Sequence, residues 1–260
     1  MFWRRAGRPE GRPLPGMIQA ASGSRFAATI RTTTVLMALA CSTTAIRAAG
    51  GRSVTFHADD GRTVTGTVFE ANRTPAPAVV LVPALGHPRD EWQAVAQRFA
   101  DQNITALTID LPGAVVPGNA KDLAGWHMVV RAAVNWLMIQ APRPSVVGVA
   151  GASLGGSLAA VAAAADARVR AIAIVSPSEE FRGVHIEGPL RQIGSRPVLF
   201  IASRHDPYAV RSARELTKDG PGPRETFLGD AASHGVPLLV DEPDLARMLV
   251  EWFQQTLGVN

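Results

Sequence analysis

The hydrophobic positions of this chain follow two periods from about residue 50 onward. Ser53–His57 and Thr63–Phe69 alternate apolar with polar residues, as half-buried strands do, and Asp59-Asp60-Gly61-Arg62 between them has hairpin-turn composition. After Pro75 and Pro77 the pattern changes. Ala78–Pro83, Ile104–Ile109, Val146–Ala150, Ala171–Val175 and Pro197–Ala202 are continuous apolar runs, the form taken by strands covered on both faces. Arg224–Leu228 adds one more strand. Helical spacing fills the intervals: Glu91–Asp101, apolar at Trp92, Val95, Ala96 and Phe99, then Asp122–Gln140, Ser157–Ala165, Tyr208–Lys218 and Glu242–Leu257. Ala114–Ala120 reads as a loop, and Ser176–Arg196 as mostly irregular. An antiparallel pair followed by alternating strands and helices predicts an α/β fold. The sheet is mostly parallel and doubly wound, with an N-terminal antiparallel hairpin and helices on both faces. No internal repeat or second core is visible, so residues 50–260 are expected to form a single domain.

Composition changes this picture only at the N-terminus. Of 260 residues, 47% are hydrophobic and 18% charged, enough apolar material for a sizeable core. The net charge of +4 is unevenly placed: residues 1–49 hold seven arginines and one glutamate, and the rest carries 19 basic against 21 acidic residues. A domain of net charge −2 offers no basic surface, so nucleic acid is not expected as a partner. The leader itself, residues 1–49, is arginine-rich and then uncharged from Thr32 to Ile46, most apolar at Val35–Ala40. A basic flank, a short apolar core and small residues after it describe a secretory signal, with Met17 as an alternative start. Transmembrane helices need about 20 apolar residues, more than this run has. Cys41, the single cysteine, follows Ala38-Leu39-Ala40, which is similar to a lipoprotein cleavage box except at Ala38. Export to the periplasm or beyond is expected, through a plain signal cut near Ala40 or Ala48 or a lipid on Cys41. Only through that lipid would the protein meet a membrane.

Candidate chemistry sits at the ends of the predicted strands, where open α/β sheets build their sites. The valine-rich run meets Gly151-Ala152-Ser153-Leu154-Gly155, and an alanine-rich helix follows. Strand, tight turn and helix are the context in which G-x-S-x-G forms a nucleophile elbow, with Ser153 exposed at its apex. A serine hydroxyl needs a base, and the base needs a partner that fixes its tautomer. His234 follows the last predicted strand and Asp206 the one before it, giving the order Ser…Asp…His. Either could instead be ordinary loop chemistry: a solvated histidine, or an aspartate capping the next helix. Asp230 is the alternative acid, too near His234 in sequence to reach round the ring. His205 and Asp110 are assigned to turns, and His87 to solvating its turn in preference to lining the pocket. Developing oxyanion charge needs two fixed donors, the Leu154 N–H and one from the loop after Ala78–Pro83, Leu85 in preference to Ala84. Leu85, Trp126 and Phe181 are candidate pocket side chains. Nothing in the pattern calls for a metal or an organic cofactor.

From about Ser53 to Leu257 the chain resembles an α/β-hydrolase of the compact dienelactone-hydrolase-like or carboxylesterase-like kind. The residues that carry this are Gly151-Ala152-Ser153-Leu154-Gly155, Asp206-Pro207, His234-Gly235 and the loop Leu81-Val82-Pro83-Ala84-Leu85-Gly86. Two departures stand out. Pro83-Ala84 replaces the His-Gly usual at the oxyanion loop, and serine stands where dienelactone hydrolases proper use cysteine. The resemblance implies a small-molecule ester as substrate, cleaved through an acyl-enzyme. Amide, thioester or peptide hydrolysis by the same mechanism, or a catalytically silent binding protein, are the alternatives. It also implies no substantial lid, since Ser176–Arg196 is too short for one.

Overall fold

The computed structural model describes residues 50–113, 119–140, 143–218 and 220–259. The expected leader, with Met17 and Cys41, lies outside them, as does most of the loop expected at Ala114–Ala120.

Eight strands form one sheet: β1 (Arg52–His57), β2 (Thr63–Phe69), β3 (Ala78–Val82), β4 (Thr105–Ile109), β5 (Val147–Ala152), β6 (Val169–Val175), β9 (Val198–Ser203) and β10 (Arg224–Gly229). Their order is β1-β2-β4-β3-β5-β6-β9-β10, with β1 and β2 antiparallel to their neighbours and the rest parallel. The continuous apolar runs now have their cause. In β3, Val80 and Val82 face one core layer while Val79 and Leu81 face the other, and all of them are buried.

One layer is closed by α3 (His127–Ile139), α4 (Leu154–Ala165), α5 (Glu187–Gln192) and α6 (Pro207–Lys218). The other is closed by α1 (Gln93–Asp101), α7 (Val236–Asp241) and α8 (Pro243–Leu257). Gly148 in β5 makes room for α8, because a Cβ there would come within 2.5 Å of the Phe253 ring. Phe253 in turn packs edge-on to Phe99 of α1 at 5.6 Å between centroids.

Three segments differ from the sequence expectation. The helix expected over 122–140 is two: α2 (Ala120–Ala124) and α3. Asn119 caps α2, its Oδ1 accepting the Asp122 N–H at 2.9 Å, and His127 Nδ1 donates to the Ala124 carbonyl at 2.8 Å where α2 stops. The segment expected to be irregular contains a two-stranded hairpin, β7 (Glu180–Phe181) and β8 (Val184–His185), followed by α5. Its turn uses left-handed backbone at Arg182 and Gly183. This is a small excursion and not a lid domain. Finally, α7 precedes the closing helix; Pro237 lies in its first turn, where a missing N–H costs nothing.

The chain leaves β3 for β4 on one side and returns to β5 on the other. The strand order therefore reverses between β3 and β5, and the rim formed by their carboxyl ends is where open sheets of this kind carry their sites.

Candidate active site

Each sequence-predicted residue can be followed to that rim. Ser153 directly follows β5, with φ +50° and ψ −120°, a backbone region that non-glycine residues occupy only at a cost. The turn is held from three sides. A Cβ at Gly151 would lie 2.3 Å from Gly155 C and O, and one at Gly155 would lie 2.3 Å from the Pro83 carbonyl oxygen. The Ser153 N–H donates to the Val175 carbonyl at 2.8 Å, and the Gly156 and Ser157 N–H groups close onto the Ser153 carbonyl at 3.0 and 3.2 Å. Helix α4 thus begins at Leu154, and its unpaired first N–H groups bring partial positive charge to the elbow.

The loop after β3 comes up beside it. Ala84 is buried and Leu85 half-buried, Gly86 takes φ +78°, and the His87 N–H turns back to the Ala84 carbonyl at 3.2 Å. Among the described residues no backbone carbonyl outside regular elements accepts the Leu85 or Leu154 N–H. A Cβ on Gly155 would meet the Pro83 carbonyl oxygen, so the loop after β3 and the start of α4 pass in direct contact. His87 is engaged elsewhere, 2.5 Å from Glu91 Oε1 at the surface. Asp110, at the end of β4, accepts from the Arg89 N–H at 3.1 Å, from the Arg89 guanidinium and from Thr65 Oγ1 at 2.7 Å. It clamps loops together, as its turn position suggested.

His234 and Asp206 meet across the ends of β9 and β10. His234 Nδ1 lies 2.9 Å from Asp206 Oδ2. A carboxylate only accepts, so Nδ1 carries the proton, and the tautomer this selects has its lone pair at Nε2. Asp206 also caps α6, its Oδ1 accepting the Ala209 N–H at 2.9 Å. Asp206 thus serves the helix with one oxygen and meets the His234 ring with the other. Asp230 points away, 2.9 Å from Arg204 with its side chain 81% exposed. His205 is exposed on the turn, its N–H bonded to Ser203 Oγ at 3.0 Å.

His234 and the elbow approach through the backbone. A Cβ on Gly235 would sit 3.7 Å from that of Ala152, the residue before Ser153. Among the described residues no hydrogen bond joins the Ser153 hydroxyl to the His234 ring. The arrangement is thus a completed acid–base pair beside a strained, half-buried serine at a helix N-terminus.

Of the candidate pocket side chains, Trp126 is a correction: it is 2% exposed and packs into the core under α3, where an indole of that volume excludes solvent. Leu85 and Phe181 are only partly buried, with the Arg182 guanidinium 5.8 Å from the Phe181 ring centre. Three supporting residues were not read from the sequence. Buried Ser203 donates to the Ala231 carbonyl, Glu242 Oε1 accepts the Ala231 N–H, and Ser176 Oγ accepts the Gly235 N–H at 2.8 Å. Their one sequence signal is a polar residue closing an apolar strand, as at Ser176 and Ser203, since a buried hydroxyl needs a partner.

Comparison with known proteins agrees with this architecture. A family described as "alpha/beta hydrolase fold" matches residues 77–185. No curated protein matches the chain. Among solved structures, the dienelactone hydrolase from Anabaena variabilis superposes with a TM-score of 0.68 at 19% identity, over 79% of this chain and 97% of that one. The α/β hydrolase GrgF from Penicillium sp. gives 0.68 at 16% identity, over 80% and 99%. An esterase domain from Rhodothermus marinus gives 0.63 at 18% identity, over 78% and 98%. With the strand reversal at β3 and β5 and the elbow that follows it, these likenesses make this chain a protein of the α/β-hydrolase fold.

Proposed function

We propose that the protein is a serine hydrolase that cleaves carboxylic esters through an acyl-enzyme. The observation that carries this reading is the 2.9 Å contact between His234 Nδ1 and Asp206 Oδ2, which leaves Nε2 basic beside the Ser153 elbow. The names of the fold neighbours, a dienelactone hydrolase and an esterase among them, support it.

In the first half-reaction Ser153 Oγ bonds to the ester carbonyl carbon while its proton passes to His234 Nε2. The Leu154 and Leu85 N–H groups take the oxyanion, each donor worth about 3 kcal/mol in such sites. The carbon–oxygen bond to the leaving group breaks as His234 returns the proton to it, and the alcohol departs. Water then repeats the sequence on the acyl-enzyme, releasing the acid and restoring Ser153. Asp206 holds the ring and balances its charge at each imidazolium stage. A serine and a histidine free of mutual hydrogen bonding do not conflict with this, because such contacts commonly tighten only around substrate. Among the described residues the excursion after β6 is only the short β7–β8 hairpin and α5, which agrees with a small ester as substrate.

A fluorophosphonate probe tests the reading. The wild type is expected to gain one phosphonyl group on Ser153 with loss of fluoride, and Ser153→Ala none. An inert wild type would remove the serine mechanism. Export is a separate proposal, made on residues 1–49 alone: intact mass of the mature protein should lack the leader, and full-length chain in the cytosol would contradict it.

A further inference from the structure

We infer that Ser176 is a positioning residue that sets the separation of Ser153 and His234, an inference that rests on the catalytic reading above. Ser176 directly follows β6 and is 1% exposed, with φ +52°. Left-handed backbone is costly for a residue with a Cβ, and glycine would occupy it freely. What glycine lacks is the hydroxyl. Here that hydroxyl accepts the Gly235 N–H at 2.8 Å, the amide of the peptide bond joined to His234. The Ser176 N–H is itself anchored to the Ile201 carbonyl of β9 at 2.7 Å, so the side chain springs from a fixed base.

The residue before it completes the link. Val175 offers its carbonyl to the Ser153 N–H at 2.8 Å. One dipeptide therefore grips the elbow with its first residue and the histidine loop with its second. Asp206 holds the imidazole by its far nitrogen, and Ser176 holds the backbone that carries it. Gly235 can accept this grip because its own φ is +70° with ψ −145°, a conformation open mainly to glycine. Without the Ser176 oxygen the Gly235 N–H is a buried donor with no acceptor, a penalty relieved only if the loop moves to find one. Movement of the loop carries Nε2 away from Oγ. An ångström of such misplacement is worth about 100-fold in rate.

The test uses Ser176→Ala, which keeps the strain and loses the acceptor, and Ser176→Gly, which loses both. Both variants are expected to lose about 10–100-fold in kcat and in fluorophosphonate labelling rate, with KM for a small ester within about twofold of wild type. Ser176→Gly should melt at or above Ser176→Ala, since it relieves the strained φ while losing the same acceptor. Rates within about twofold of wild type in Ser176→Gly, with the wild type labelled normally, would overturn this inference and leave the catalytic reading standing. An unlabelled wild type would remove both. One measurement needs no variant: the Gly235 amide of the wild type should exchange its hydrogen at least about 100-fold slower than an unprotected loop amide. Exchange at the unprotected rate would also overturn it.

Discussion

Asp206→Ala is expected to lower kcat about 10³–10⁴-fold, while Asp230→Ala leaves it within about twofold. That loss corresponds to about 4–5.5 kcal/mol of transition-state stabilisation. It follows from the part the carboxylate plays in the proposed mechanism. With Oδ2 2.9 Å from His234 Nδ1, the ring is fixed in the tautomer whose Nε2 can accept a proton, and the imidazolium then has a counter-charge. The Asp206 side chain is 23% exposed and that of His234 54%, so the contact is partly open to solvent and its effect lies in fixing the ring more than in bulk charge. Asp230 lies on the same loop as His234 but is spent on Arg204 in solvent, and losing it removes only a surface ion pair. Truncating Asp206 also deletes the Ala209 cap, so the melting temperature should fall by about 2–4 °C, for a cap worth about 1 kcal/mol. Asp206→Asn separates the two jobs, because its single carbonyl oxygen can serve the ring or the helix but not both. Wild-type kcat in Asp206→Ala, or a large loss in Asp230→Ala, would mean that the acid has been misassigned.

Which of these features could be seen in the sequence depends on how far each one's cause lies along the chain. The parallel strands were legible because burial on both faces leaves an unbroken apolar run, as at Ala78–Val82. The elbow was legible for a local reason too: Gly151, Ser153 and Gly155 are within five residues, and the two glycines are required by the same close-packed turn. Asp206 and His234 are 28 positions apart and came from their placement after successive strands, so their pairing is a consequence of sheet order. Ser176 was hidden because its partner is 59 residues away and nothing beside it in the chain announces a bond to Gly235. Short elements failed for another reason. Helix α7 and the β7–β8 pair have six residues or fewer per element, too few to show a period, and they exist because the rest of the fold covers them. Trp126 misled because apolar bulk near a predicted rim looks the same in sequence whether it lines a pocket or plugs the core.

Gly155→Ala is expected to carry a large structural penalty in the site. A Cβ there would stand 2.3 Å from the Pro83 oxygen, 2.6 Å from the Val82 oxygen and 2.9 Å from the Val82 carbonyl carbon. All three are main-chain atoms of a central strand and its exit, so no rotamer change can clear them. Either α4 lifts from the sheet or the end of β3 is pushed aside, and overpacking of this kind costs about 3 kcal/mol. For a domain of this size that is a fall of about 6–12 °C in melting temperature. Activity should fall further than stability, because the same displacement spreads the Leu154 and Leu85 amides that are proposed to share the oxyanion. Gly188→Ala is the matched control. It lies in α5 with nothing within 4 Å of its Cβ position, and should be neutral or slightly stabilising. Should Gly155→Ala melt within about 2 °C of wild type and keep its turnover, the close pass of helix and strand would not be what forms the site.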